Sequence, residues 1–161
     1  MARQVLSYIS KPPPVNDIET KAKAPGERIT TPPLAPLHFI LSRMYSDAVL
    51  KHFRSPHNAG DLPDATAIAE VTNPVCGDVL RLSVRIAEGR IAAAGFKAQG
   101  CVASIASSSM LTDLLAGKTH AEAESITAQQ IADALDGLPP ASFHGAQLCA
   151  DALDVLLRKL A

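Results

Sequence analysis

The feature that most restricts what this chain can fold into is a change of hydrophobic period at one glycine. From Val79 to Ala87 the residues alternate, with Leu80, Leu82, Val84 and Ile86 on one side and Arg81, Ser83 and Arg85 on the other. Glu88-Gly89 then turns the chain into a second extended run, Arg90 to Lys97. After Gly100 the alternation stops. Cys101 to Ala116 is rich in Ala, Ser, Ile, Met and Leu at helical spacing and closes at Gly117, the residue type that ends helices most readily. An antiparallel hairpin with one apolar and one wet face, feeding straight into a helix, has to bury its apolar side under helices.

The flanking segments complete the order. Ser46 is an N-cap candidate for a helix running to Arg54, ended by Pro56 and Gly60. Ala65 to Thr72 alternates small apolar residues as a strand does, and Pro74 stops it. Thr119 and Thr127 cap two short helices, the second over Ala128 to Leu135, before Gly137 and Pro139-Pro140 break the chain. His144 to Leu160 is a final amphipathic helix. The expected class is α+β: a small three-stranded antiparallel sheet with helices packed on one face.

Seven of the 12 prolines fall in residues 1 to 43, so that stretch is expected to be a disordered Pro-rich extension and residues 44–161 the folded domain. The extension is either a genuine tail or an upstream translation of a gene whose natural start is Met44. It carries six basic residues against three acidic ones, a net of +3, which leaves −4 on the rest of the −1 chain. That mild acidity argues against nucleic acid. The apolar run Leu37 to Leu41 is far too short to span a bilayer, and the first residues lack the apolar core of a signal peptide, so the default location is the cytoplasm. Three cysteines, an odd count, then stay as thiols, and no disulfide is expected.

Two of those thiols sit in Gly-anchored segments, Asn73-Pro74-Val75-Cys76-Gly77-Asp78 and Phe96-Lys97-Ala98-Gln99-Gly100-Cys101. Cys101 opens a helix, where unpaired N–H groups and the macrodipole favour the thiolate. Cys76 lies in a turn composition between two strands, hence at a loop tip. Asp78 is either a ligand or an Asx-type turn cap. His144 follows Pro139-Pro140 and can project into the same space. Two thiolates, a carboxylate and an imidazole suit zinc, ferrous iron or an iron-sulfur cluster. Ser107-Ser108-Ser109 lies inside a helix with no nucleophile elbow and reads as small packing residues, while His52, His57 and His120 read as surface histidines.

These segments, with Ser104-Ile105-Ala106-Ser107-Ser108-Ser109 and Leu138-Pro139-Pro140 before His144, resemble the U-type iron-sulfur cluster assembly scaffolds, the IscU, SufU and NifU amino-terminal-domain family. Met44-Tyr45-Ser46-Asp47 and Phe53-Arg54-Ser55-Pro56-His57-Asn58 with Gly60 resemble that family's start. The resemblance runs from residue 44 to about 160 and implies a SufE/NifU-like fold. It implies a non-enzymatic scaffold that accepts iron and sulfur from a cysteine desulfurase and passes a transient 2Fe-2S cluster to apo iron-sulfur proteins. Cys76, Asp78, Cys101 and His144 would be the metal ligands. The alternatives are a zinc-bound sulfurtransferase relaying persulfide, as in the SufU branch, and a degenerate partner-binding protein without a cluster.

The family usually carries its third cysteine directly after the histidine. Here that position is Gly145, and the nearest thiol is Cys149, four residues on and one helix turn further along the same face. Cys149 is a possible additional ligand, weighed against a small packing residue beside Leu148, Leu153 and Leu156. Ser142 stands where the family often has the lysine of its chaperone-recognition segment, which argues against handling by a dedicated chaperone.

Overall fold

A computed structural model describes residues 37–161 of the chain. The first described helix, α1 (Leu37–Met44), covers residues 37–43 of the stretch expected to be a disordered extension; residues 1–36 of that stretch lie outside the described residues. Then follow α2 (Asp47–Arg54), β1 (Ala67–Thr72), β2 (Val79–Ala87), β3 (Arg90–Gln99), α3 (Val102–Leu115), α4 (His120–Glu124), α5 (Ala128–Ala134), a 3-10 turn (Pro140–Ser142) and α6 (His144–Arg158).

The strands form one antiparallel sheet in the order β1-β2-β3. Ala67 pairs with Val84 and Thr72 with Val79, and on the other side of β2 Val79 pairs with Gln99, the register shifting between Arg85 and Ile86. Glu88 and Gly89 both take positive φ, 51° and 72°, the backbone of a tight hairpin whose twist matches the strands. Leu80, Leu82 and Val84 are wholly buried and meet α3 and α6 in a core that also takes in Ile91, Phe96, Leu111, Leu115, Leu148 and Leu156.

α3 is covered on several sides, packed on β3, α2 and α6. Its small residues make that possible: Ala103, Ser104, Ala106, Ser107, Ser108 and Ser109 are all buried, so neighbouring elements come close to its backbone. Thr119 and Thr127 each close a full capping box on the short helices α4 and α5.

The outer face of the sheet is less wet than the alternation suggests. Ser83, read as solvent-facing beside Arg81 and Arg85, is fully buried. The loop after α2 runs along the free edge of β3, with Gly60 N–H donating to the Phe96 carbonyl at 2.7 Å and Phe96 N–H to the Asn58 carbonyl at 3.1 Å. It carries Leu62 over Ser83, whose hydroxyl donates to the Gly95 carbonyl at 3.1 Å. The loop thus covers an edge strand that would otherwise offer unpaired backbone. A Cβ at Gly95 would lie 2.8 Å from the Gly60 carbonyl oxygen, so this crossing requires glycine.

Candidate metal centre

The turn before β2, the N-terminus of α3 and the N-terminus of α6 meet at one end of the domain. Asn73 builds the turn: its side-chain oxygen accepts from Val75 N–H at 2.9 Å, its carbonyl from Gly77 N–H at 2.9 Å, and Gly77 takes φ +74°. This lifts Cys76 to an exposed tip and turns Asp78 inward, where it is only 7% exposed. The Asx-turn role weighed for Asp78 therefore belongs to Asn73.

The Asp78 carboxylate is aimed at the start of α3. Its Oδ2 accepts from Cys101 N–H at 3.4 Å and from the Ser104 hydroxyl. Burial opposes its ionisation, but the hydrogen bonds from Ser104, Cys101 N–H and the Cys76 and Cys101 thiols outweigh burial and hold the carboxyl below its ordinary range. Gly100 permits the approach: a Cβ there would lie 2.6 Å from the Asp78 carboxyl carbon.

Cys101 is the N-cap of α3, its sulfur accepting from Ser104 N–H at 3.4 Å. His144 opens α6 with Nδ1 donating to the Ala141 carbonyl at 2.9 Å, which fixes the tautomer with a bare Nε2. That Nε2 lies 3.6 Å from Cys101 Sγ and 3.9 Å from Asp78 Oδ2. Donor atoms of Cys76, Asp78 and His144 all fall within 4.8 Å of one another. Cys101 is not part of that mutual group: its sulfur adjoins it through His144 Nε2, so that Asp78 and His144 are shared neighbours of the two sulfurs, with Cys76 and His144 open to solvent. Such a set holds a soft or borderline metal by its thiolates and leaves two weaker, exchangeable donors.

Cys149 does not join them. It is completely buried among the core residues between α3 and α6, 3.5 Å from the Ser108 hydroxyl, and burial pushes its thiol up to about 12. Gly145 faces α3 so closely that a Cβ would lie 2.8 Å from the Ala103 carbonyl carbon. Ser142 is buried and shares a 3.0 Å hydrogen bond with the Tyr45 hydroxyl.

Sequence reading missed Ser104. It lies in a quoted motif but was given no part at the site; its position three residues after a helix-capping cysteine, the N3 place, was the available signal. It also placed His52 on the surface, whereas the ring is buried with Nδ1 2.8 Å from Ser109 Oγ.

Residues 44–160 match the family described as NifU-like N terminal domain. Over 110 residues the chain is 46% identical to the iron-sulfur cluster assembly scaffold protein IscU 1 of Archaeoglobus fulgidus, covering 68% of this chain and 72% of that protein. It is 43% identical over 119 residues to the iron-sulfur cluster assembly scaffold protein IscU of Azotobacter vinelandii, covering 71% of this chain and 91% of the relative. The fold is similar to a crystal structure described as an iron-sulfur cluster assembly scaffold protein for the SUF system from Fervidobacterium islandicum AW-1, with a TM-score of 0.60 at 22% identity over 71% of this chain and 97% of that one. With the family match running from α1's last residue through α6 and enclosing all four converging side chains, the chain belongs to the NifU-like N-terminal domain family.

Proposed function

We propose that this protein is a scaffold for iron-sulfur cluster assembly, on which iron and sulfur from a cysteine desulfurase become a 2Fe-2S cluster that is handed to apo-proteins. The observation that carries the reading is the meeting of Cys76, Asp78, Cys101 and His144 at one end of a domain whose relatives bear that name. Cys76 and Cys101 are the strong ligands in this account. Asp78 and His144 are the exchangeable ones, and they suit a site whose cargo has to leave.

Position 145 sets this chain apart. With glycine there and Cys149 sealed in the core, the protein supplies two accessible thiols rather than three. A cluster held by two thiolates with one carboxylate and one imidazole is bound less tightly than one held by three thiolates, and transfer is correspondingly easier. The role is one of holding and handing over, without turnover of its own. Among the described residues no helix is long and apolar enough to cross a membrane.

Metal and sulfide analysis after anaerobic purification tests the proposal. Iron with acid-labile sulfide is the expected result. Zinc alone would instead point to a persulfide-relaying sulfurtransferase, and neither metal nor sulfide to a domain that only binds partners.

A further inference from the structure

A second set of donors lies further along α3. His52 on α2, His57 on the loop after it and Asp113 on α3 each offer one donor atom, and the three atoms lie within 4.8 Å of one another. Asp113 is about 13 Å along the helix from Ser104, at ~1.5 Å rise per residue, so this cluster is distinct from the first.

Its side chains are held in place from outside. Ser109 Oγ accepts from His57 N–H at 2.7 Å and lies 2.8 Å from His52 Nδ1. Asn58 Nδ2 donates to Asp113 Oδ1 at 3.2 Å and to Thr112 Oγ1 at 3.1 Å, while Asp113 Oδ2 lies 2.6 Å from His57 Nδ1. Ligating imidazoles are commonly oriented by a hydrogen bond at their other nitrogen, and Ser109 supplies one to His52.

Burial, and after it the neighbouring His57, lowers the pKa of His52, with Asp113 opposing. The His57 ring lies 4.6 Å from the His52 ring, centroid to centroid, and is tilted 54° to it, so both imidazoles border the same space.

We propose that His52, His57 and Asp113 form a second, mononuclear site for a divalent cation of the zinc class, with its remaining coordination positions open to solvent. Two nitrogens and one carboxylate oxygen are a donor set for such ions, whose bonds to these atoms are about 2.0 to 2.2 Å. Two donors on one tetrahedral ion with such bonds stand about 3.4 Å apart, so His57 Nδ1 and Asp113 Oδ2, now 2.6 Å apart, have to separate as the ion enters and replaces the hydrogen bond between them; their side chains are 43% and 36% exposed.

The test uses the full chain carrying Cys76→Ser and Cys101→Ser, which removes both thiolates of the first site, titrated with Co2+ and followed by calorimetry and visible absorption. One equivalent is expected to bind with ligand-field bands and no sulfur-to-cobalt charge transfer. Adding His57→Ala or Asp113→Ala should weaken binding about tenfold or more, while His144→Ala should leave it unchanged. Both residues are partly exposed, and circular dichroism checks that the variants stay folded. No stoichiometric binding, binding indifferent to His57→Ala and Asp113→Ala, or loss on His144→Ala would overturn the proposal.

Discussion

Gly145 on α6 stands against Ala103 on α3 so closely that a Cβ at 145 would come 2.8 Å from the Ala103 carbonyl carbon and 3.0 Å from its oxygen. The atoms in the way are backbone and have no rotamer to escape into. Restoring the family's cysteine is therefore not a simple gain of a ligand: Gly145→Cys has to push the two helices apart. Overpacking of this kind costs about 1–3 kcal/mol, and Gly145→Ala should show most of the same loss. Urea denaturation measures it; an unchanged midpoint in both variants would show that α6 moves freely.

Cys149 should behave as part of the core. In the native protein a thiol reagent near pH 8 should modify Cys76 and Cys101 only, with Cys149 reacting after unfolding. Its thiol pKa is raised from 9.0 to about 12 by burial, so the folded state keeps its proton where the unfolded chain loses it. Stability is unaffected below about pH 9 and falls as pH rises toward 12, and Cys149→Ala should remove that part of the alkaline loss. Rapid labelling of all three thiols in the folded protein would contradict this.

Ser104 holds Asp78, and Ser104→Ala should cost about 1.5–3 kcal/mol at neutral pH, the range for a hydrogen bond to a charged acceptor. The Asp78 carboxyl lies below its ordinary 3.8, so its contribution is present above that pH and is lost as pH falls through the folded value. The difference between wild type and Ser104→Ala should accordingly shrink on acidification below 3.8. A difference that stays constant across that range would mean that Ser104 acts by packing alone.

Deleting residues 1–43 is expected to leave metal binding intact and to lower thermal stability little. The described part of that stretch, α1, leaves Phe39 45% and Ile40 44% exposed. A large fall in melting temperature on deletion would show that the segment contributes to the folded unit.

What was legible in the sequence was local. Alternation in Val79 to Ala87, the Glu88-Gly89 turn, the caps at Ser46, Thr119 and Thr127 and the helix start at Cys101 each need only neighbouring residues, and the structure has them all. The converging side chains were legible because three sit at the ends of such elements and His144 follows a proline break. Ser83 and His52 were misplaced because their burial comes from elsewhere: Leu62 crosses the sheet to cover one, and α2 against α3 encloses the other. No period in the sequence marks a loop that lies along a strand edge. Gly145 showed only that a thiol was missing; that α3's backbone occupies the space is a fact of packing.

The most direct test reconstitutes wild type, Cys76→Ser, Cys101→Ser and Cys149→Ser under anaerobic conditions with ferrous iron, cysteine, a cysteine desulfurase and dithiothreitol, the thiol reductant that brings the desulfurase's persulfide sulfur to sulfide, and measures iron, acid-labile sulfide and the visible spectrum. Wild type and Cys149→Ser should bind iron and sulfide in equal amounts with cluster absorption, and each of the other two variants should lose both while remaining folded. Cluster assembly that survives Cys76→Ser and Cys101→Ser but fails in Cys149→Ser would contradict the account at its centre.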